Sequence, residues 1–194
     1  MNYEAVKNLI LNKLETELPK HLSYHSVAHV KDVLEASIRI AKEEQVSETE
    51  LQLLKTAAVF HDAGFLFGAR DHEIRSCELA RHYLPQYDYN NEQIECICGL
   101  IMATKLPQQP KNHLEEILAD ADLDYLGRDD FFQIGNQLFE ELVMFGIISN
   151  EDDWNRLQIK FFESHHYFTR TAIKLRQKSK EAHLLAIKAK LKNK

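Results

Sequence analysis

The sequence contains few cysteines, prolines and glycines, with 3, 4 and 6 of these residues among 194. So few cysteines exclude a disulfide scaffold, and so little proline and glycine excludes collagen and low-complexity disorder. No apolar run approaches the roughly 20 residues of a membrane span, and acids interrupt the apolar residues of the N-terminal segment MNYEAVKNLILNKLE. We therefore expect a cytoplasmic protein with no membrane partner.

Charge is distributed unevenly along the chain. The sequence has 24 basic and 30 acidic residues, a formal net charge of −6. From Arg170 to Lys194 there are nine basic residues and one acid, Glu181, so this tail carries +8 and the 15 basic and 29 acidic residues before it give −14. A basic tail can bind nucleic acid, but a solvated lysine-rich helix face is more common, so nucleic acid is not the expected partner.

Apolar residues recur with the period of helices along the whole chain, and no segment alternates as a strand between turn residues. The sequence therefore predicts an all-α protein, and the absence of a linker predicts one domain over residues 1–194. The segment LQLLKTAAVFHD is apolar nearly all round, which indicates a central helix.

Capping residues and glycines predict where several helices begin and end. Ser47–Glu50, Asp71 and Asn90–Gln93 indicate helix starts. Gly127 is expected in a left-handed conformation at the end of the helix HLEEILADADLDYL. The segment AGFLFGAR is predicted to be a loop. Toward the C-terminus we expect a helix at about 129–145, a second at about 152–178 and a short terminal helical piece. Whether the second helix is broken near His165 is left open.

Ten histidines are an unusual number, and several stand near carboxylates. His25 and His29 are four residues apart, while His61 and Asp62 are adjacent at the end of the central helix. Imidazole and carboxylate ligands together suit Mn, Fe, Zn, Ni or Mg, and a metal compensates for burying adjacent ionisable groups. The ordinary alternative is that a lone histidine belongs to the core or the surface.

A later segment, LADADLDYLG, adds three aspartates. On a helix Asp120 and Asp124 share a face, and Asp122 points away from them. Asp120 and Asp124 have the alternative of being simply solvated.

Four motifs in order resemble the HD-domain superfamily of metal-dependent phosphohydrolases. They are YHSVAHV, LLKTAAVFHDAGF, DHEIRSCELA and LADADLDYLG. The resemblance implies an HD-domain helical bundle with a motif core at about residues 22–127, extra N-terminal helices and a C-terminal extension over 128–194. Carried over by position, it implies four metal ligands, which are His29, His61, Asp62 and Asp122.

The resemblance also implies catalytic roles. Asp62 would orient or deprotonate the attacking water, and His25 would protonate the leaving oxygen. For His25 the alternative is a contact at the surface or at the N-terminus of its helix. Glu73, just past the loop that borders the site, would align water or contact the metal through water. Substrate phosphates would be held by cations beside the motifs, for which the candidates are Arg75, Lys105 and Arg128, each an exposed charge by default. The aromatic cluster around residues 161–168 is more often core than the wall of a nucleotide pocket.

Binuclear members of the family carry further histidines where this sequence has Thr104 and Lys105. We therefore expect one divalent ion, whether Mn, Fe, Mg, Zn, Ni or Co, with His72 left open as an extra ligand. The implied function is hydrolysis of a phosphoester or phosphoanhydride bond of a small phosphorylated metabolite, first of all a nucleotide, by a metal-activated water. A non-catalytic module that binds a nucleotide or a partner and a di-iron oxygenase remain alternatives, and a homodimer is left open.

Overall fold

The computed structural model describes residues 1–192. Within that range the regular secondary structure is helical and contains no strand, which confirms the all-α prediction. Nine α-helices of the described range follow in order: α1 (Tyr3–Glu17), α2 (Val27–Glu43), α3 (Glu48–Phe60), α4 (His72–Tyr83), α5 (Asn91–Ala103), α6 (His113–Asp122), α7 (Phe131–Met144), α8 (Glu151–Ser164) and α9 (Arg170–Lys192). None of them combines the length and the apolar character that crossing a bilayer requires.

All three predicted helix starts are confirmed, because α3, α4 and α5 begin directly after Ser47, Asp71 and Asn90. The Ser47 hydroxyl accepts from the Glu50 amide, and the Glu50 carboxylate accepts from the Ser47 amide at 2.8 Å. Asn90 and Gln93 form the same reciprocal pair before α5. Asp71 directly precedes α4 as predicted, but its side chain does not cap the helix, because this residue is left-handed, with φ 53°, and makes no capping hydrogen bond. A side-chain cap needs an extended backbone at that position to reach the first amides of the helix.

The central helix predicted from the apolar segment is α3. Leu54, Ala57, Ala58 and Phe60 are completely buried, and α1, α2 and α5 pack around them. The end of α3 therefore lies inside the protein. His61, the next residue, is completely buried as well.

The C-terminal helices contain the break near His165 that the sequence left open, because α8 ends at Ser164 and α9 begins at Arg170. The separate terminal piece is wrong, since α9 runs without interruption to Lys192. After the break, the buried Asp120 carboxylate of α6 accepts hydrogen bonds from the amides of Phe168 and Thr169, at 2.9 and 2.7 Å. Lys194, the last charge of the basic tail, lies outside the described residues. The single domain over 1–194 stays a prediction.

Two glycines allow short 3-10 turns to pack directly on helix backbones. Gly127 ends a 3-10 turn, Asp124–Gly127. The left-handed conformation predicted for Gly127 is wrong. A Cβ at Gly127 would lie 2.4 Å from the carbonyl oxygen of Arg176 in α9. The segment predicted to be a loop contains a second turn, Ala63–Phe67, in which a Cβ on Gly64 would meet the backbone of His72. Packing, rather than left-handed geometry, therefore explains both glycines.

Candidate metal centre

Three helix ends bring four of the sequence-predicted side chains together. His29 lies in the first turn of α2, His61 and Asp62 directly follow α3, and Asp122 is the last residue of α6. All four are largely buried, and His61 is completely so. The set named from the motifs therefore meets at one point, while its binding of a metal stays a prediction.

Their nitrogen and oxygen atoms have the spacing of a shared coordination sphere. His29 Nε2 lies 3.2 Å from His61 Nε2 and 3.2 Å from Asp122 Oδ1. Asp62 Oδ2 lies 3.4 Å from His29 Nε2 and 3.3 Å from His61 Nε2. Ligands at about 2.1 Å from one ion stand about 3.0 to 3.5 Å apart at the usual angles. His29, His61 and Asp122 alone offer three atoms within 4.8 Å of one another, a group that could hold a metal ion.

A backbone contact fixes the tautomer of His61. Its Nδ1 lies 2.8 Å from the carbonyl oxygen of Ala58, and a carbonyl can only accept, so Nδ1 carries the hydrogen. In the neutral ring, Nε2 then presents its lone pair to His29 and the two aspartates. This arrangement of a second nitrogen tied to the backbone is typical of metal-bound histidine.

The electrostatics of the cluster favour a cation among two carboxylates. Burial lowers the pKa of His61, but the carboxylates of Asp62 and Asp122 outweigh burial and raise this pKa well above its usual range. Burial raises the pKa of Asp122, yet hydrogen bonds from His29 and His61 bring it down to about 2. The pKa of Asp62 is likewise held well below its usual range, chiefly by His61 against the effect of burial. In the absence of a metal ion, a proton on an imidazole supplies the positive charge.

The second oxygen of Asp62 faces α4. Asp62 Oδ1 lies 3.4 Å from His72 Nε2, so His72 stands on the side of the carboxylate away from the histidine pair. Ser76 fastens α4 to this turn, because its hydroxyl donates to the His61 carbonyl at 2.7 Å and accepts from the Gly64 amide at 2.8 Å. A ligand role for His72 remains a prediction.

His25 is held by an acid that the sequence did not reveal, Glu141 of α7. Glu141 is 1% exposed, and its Oε1 contacts His25 Nδ1 while its Oε2 accepts from the amides of Tyr24 and His25, at 3.0 and 3.2 Å. Burial raises the pKa of Glu141, but the hydrogen bonds from His25 outweigh burial and lower it. The His25 ring also stacks on Phe65, with 4.0 Å between centroids. The sequence signal for Glu141 was the presence of an acid within the apolar segment LFEELVM. This signal does not indicate that His25 is the partner of Glu141.

A cavity of about 510 Å³ extends from the cluster toward α7 and α8. At its polar end the cavity is lined by His29, Asp62 and Asp122 of the cluster, whereas His61 is fully buried. The lining there also includes His25, His72, Glu73, Thr104 and Lys105. Glu73 Oε1 lies 3.7 Å from His72 Nε2. The other end is lined by apolar side chains of α7 and α8. All three predicted catalytic residues therefore border one cavity.

The predicted phosphate-binding cations are placed differently from one another. Lys105 lines the cavity. Arg75 is bound to a backbone carbonyl outside the lining. Arg128 is engaged by three aspartates, which are Asp32 at 2.6 Å, Asp130 at 2.5 and 2.9 Å and Asp124 at 3.7 Å. The structure thus brings Lys105 to the cavity and does not bring Arg75 or Arg128 there.

The remaining aspartates of LADADLDYLG are not solvated, contrary to the alternative raised by the sequence. Asp120 is 0% exposed and accepts from the Thr169 hydroxyl at 2.7 Å as well as from backbone amides. Asp124 is 1% exposed and forms a bidentate pair with Arg176, at 2.8 and 3.1 Å. Both anchor the start of α9 and the segment before it, so the middle aspartate is the one that faces the histidines.

No protein-family model matches this sequence, and no curated protein is similar to it in sequence. Solved structures do resemble the fold. YpgQ from Bacillus subtilis, solved in complex with ADP, has a TM-score of 0.69 at 18% identity, with 100% of this chain and 97% of YpgQ covered. A predicted HD superfamily hydrolase from an uncultured Thermotogales bacterium has a TM-score of 0.64 at 20% identity, covering 96% of this chain and 91% of that one.

The Lin1889 protein from Listeria innocua is a further neighbour, with a TM-score of 0.63 at 21% identity and coverage of 99% of this chain and 98% of that protein. Each likeness extends over nearly the whole of both chains, so the C-terminal helices are included in the shared architecture. Identities of 18 to 21% establish architecture and not activity. Together with the four motifs, these likenesses show that the chain has the HD-domain fold.

Proposed function

We propose that this protein is a metal-dependent phosphohydrolase that cleaves a phosphoester or phosphoanhydride bond of a small phosphorylated metabolite, a nucleotide in the first place. The observation that carries the proposal is the cluster of His29, His61, Asp62 and Asp122, whose neighbouring ligand atoms lie 3.2 to 3.5 Å apart. The complex of the neighbour YpgQ with ADP supports a nucleotide as the substrate class. A cytoplasmic location belongs to the same proposal.

The four residues would hold one divalent ion through two imidazole nitrogens and two carboxylate oxygens. This donor set accommodates Mn, Fe, Mg, Zn, Ni or Co. When bound, such an ion supplies a water that ionises near neutral pH and offsets the charge on phosphoryl oxygens. Because the imidazoles must be neutral to act as ligands, binding would release the proton that the cluster otherwise holds.

Asp62 and Glu73 position the attacking water. Asp62 Oδ2 belongs to the ligand cluster, whereas Oδ1 lies outside it and is the oxygen that receives the proton of the water. Glu73 lines the same cavity and accepts a hydrogen bond from the water on that side. Lys105 binds substrate phosphate as a point charge at the cavity wall.

His25 donates the proton that the leaving oxygen requires. Glu141 engages Nδ1 of the ring, which leaves Nε2 as the nitrogen that can donate into the cavity. Stacking on Phe65 fixes the plane of the ring. Glu141 touches neither substrate nor water, so it acts as a positioning residue for His25.

Release of phosphate or pyrophosphate from a panel of nucleotides and phosphate esters, with several divalent ions, tests the proposal. We expect release that requires the ion and that falls about 100-fold or more in Asp62→Asn, because the proton acceptor is lost. Asp88→Asn is the matched control, since Asp88 is exposed, lies outside the cavity lining and has a left-handed backbone that asparagine tolerates. Unchanged release in Asp62→Asn would refute the proposal.

The same preparation separates the two alternatives. Two irons per chain and no phosphate release would favour the oxygenase. Nucleotide binding without hydrolysis of any ester in the panel would favour the non-catalytic module.

A further inference from the structure

The cavity continues beyond the metal centre into a region that phosphoryl chemistry does not need. We call this region the apolar chamber and define it by six lining side chains of α7 and α8, which are Phe131, Leu138, Trp154, Leu157, Phe161 and Phe162. Binding and cleaving a phosphate requires charge, water and hydrogen-bond donors. Apolar walls supply none of these, so the apolar chamber fits another part of the ligand.

Aromatic side chains make up most of these walls. The rings of Phe131 and Phe162 are in edge-to-face contact, with 5.2 Å between centroids, and Trp154 and Phe161 line the same cavity. Aromatic walls favour a flat ring, because ring faces stack while ring edges form edge-to-face contacts. A nucleobase has this shape.

One amide interrupts the apolar wall. Gln158 is 7% exposed, and no hydrogen bond joins its side chain to a neighbour among residues 1–192. It stands between the apolar chamber and a smaller cavity of about 140 Å³, with its Nε2 3.5 Å from the position that a Cβ on Gly135 would take. The Gln158 amide makes no hydrogen bond to the described residues and lines the cavity, so it can bond a ligand that offers both a donor and an acceptor.

We propose that the apolar chamber binds the purine base of the substrate nucleotide and that Gln158 selects the base by pairing with its edge. The Gln158 Oε1 would accept from the 6-amino group of adenine, and Nε2 would donate to a neighbouring ring nitrogen. This inference rests on the proposed function, because the phosphates of the same molecule reach the metal centre. An alkyl chain would fill the same walls but would leave the Gln158 amide unpaired.

The fluorescence of Trp154, the one tryptophan of the sequence, reports on the apolar chamber directly. Adenosine is titrated into the full-length protein, with excitation at the red edge of the indole band. Purine riboside, which lacks the 6-amino group, is the matched ligand. We expect adenosine to change the fluorescence and to bind about tenfold more tightly than purine riboside.

Two glutamine variants decide the role of Gln158. Gln158→Leu should bind both nucleosides equally, whereas Gln133→Leu, the same change at an exposed position of α7, should keep the difference. Thermal melting of each variant establishes that it is folded. Equal binding by the wild type, or an unchanged ratio in Gln158→Leu, overturns the selection of the base.

Absence of any response to adenosine at millimolar concentration overturns base binding itself. A response to decyl phosphate in its place would assign the apolar chamber to an alkyl chain. Because adenosine carries no phosphate, its binding does not depend on hydrolysis. A protein that binds adenosine but releases no phosphate would contradict the proposed function alone, and one that releases phosphate without binding adenosine would contradict this inference alone.

Discussion

The Nε2 atoms of His29 and His61 lie 3.2 Å apart, with an oxygen of Asp62 and an oxygen of Asp122 each within 3.5 Å of both. The backbone contact of His61 Nδ1 directs the lone pair of its Nε2 toward His29. Two imidazole nitrogens at this distance repel each other unless a proton or a cation lies between them. Filling this position with a divalent ion should therefore stabilise the folded state.

Removing divalent ions should lower the melting temperature. At an ion concentration about 100 times the dissociation constant, binding contributes about 2.7 kcal/mol, which for a chain of this size corresponds to about 5 to 10 °C. Differential scanning calorimetry with manganese and with EDTA measures the difference. Asp122→Asn should lose most of it and Asp88→Asn should keep it, while equal melting temperatures of the wild type in both buffers would contradict a resident metal.

Glu141→Gln should lower kcat about 10- to 100-fold and leave KM within about twofold, because Glu141 orients His25 without contacting substrate. Steady-state kinetics on the best substrate of the panel checks this split. The exposed neighbour Glu140 provides the matched control in Glu140→Gln, for which no change is expected. A rise in KM with an unaltered kcat would place Glu141 in substrate binding and refute its positioning role.

The residues of the His29, His61, Asp62 and Asp122 cluster could be named from the sequence because each belongs to a local motif at a helix end. His29 and His61 could be identified without knowledge of distant packing, because each belongs to one of the motifs and lies at a helix end. Glu141 could not be found in this way, because its partner His25 is 116 residues away in sequence and meets it only where α7 packs against the segment before α2.

Two local predictions, the side-chain cap at Asp71 and the left-handed conformation of Gly127, are wrong. Capping rules describe how a side chain or a glycine satisfies its own helix end. Gly127 instead allows Arg176 of α9 to approach closely, a tertiary contact that these rules do not describe. Likewise Asp120 resembles a solvated acid in sequence and is buried because residues 168 and 169 donate to it.

Gly127→Ala should destabilise the protein by about 1 to 3 kcal/mol, the range for forcing extra volume into a packed interior. A new Cβ would lie 2.4 Å from a backbone oxygen of α9, which cannot move aside as a flexible side chain can. Urea unfolding of the variant measures the loss. Gly99→Ala is the control, because its Cβ would meet only the end of the Glu115 side chain, at 3.3 Å. Equal stability of the two variants would contradict the close packing of α9.

Lys180 should make stability rise with pH in the alkaline range. It is 4% exposed, and burial lowers its pKa from 10.5 to about 8. Between about pH 8 and pH 10.5, Lys180 is still protonated in the unfolded chain but has lost its proton in the folded protein. The free energy of unfolding therefore increases with pH in this range, and Lys180 contributes about 2 to 3 kcal/mol to the increase.

Urea unfolding at about pH 7 and about pH 10 tests this contribution in the wild type and in Lys180→Met. The methionine variant lacks the titrating group and should lack this part of the rise. Lys178→Met, at a more exposed position of the same helix, should behave as the wild type does. The same pH dependence in Lys180→Met and the wild type would refute the effect of burial on Lys180.

The most direct test of the metal centre is to titrate chelator-treated protein with manganese and to follow ion uptake and phosphate release in the same sample. We predict uptake of one ion per chain, phosphate release that rises in proportion to it, and neither in His61→Gln. Phosphate release by the ion-free protein, or full release by His61→Gln, would contradict the assignment of these residues to a catalytic metal.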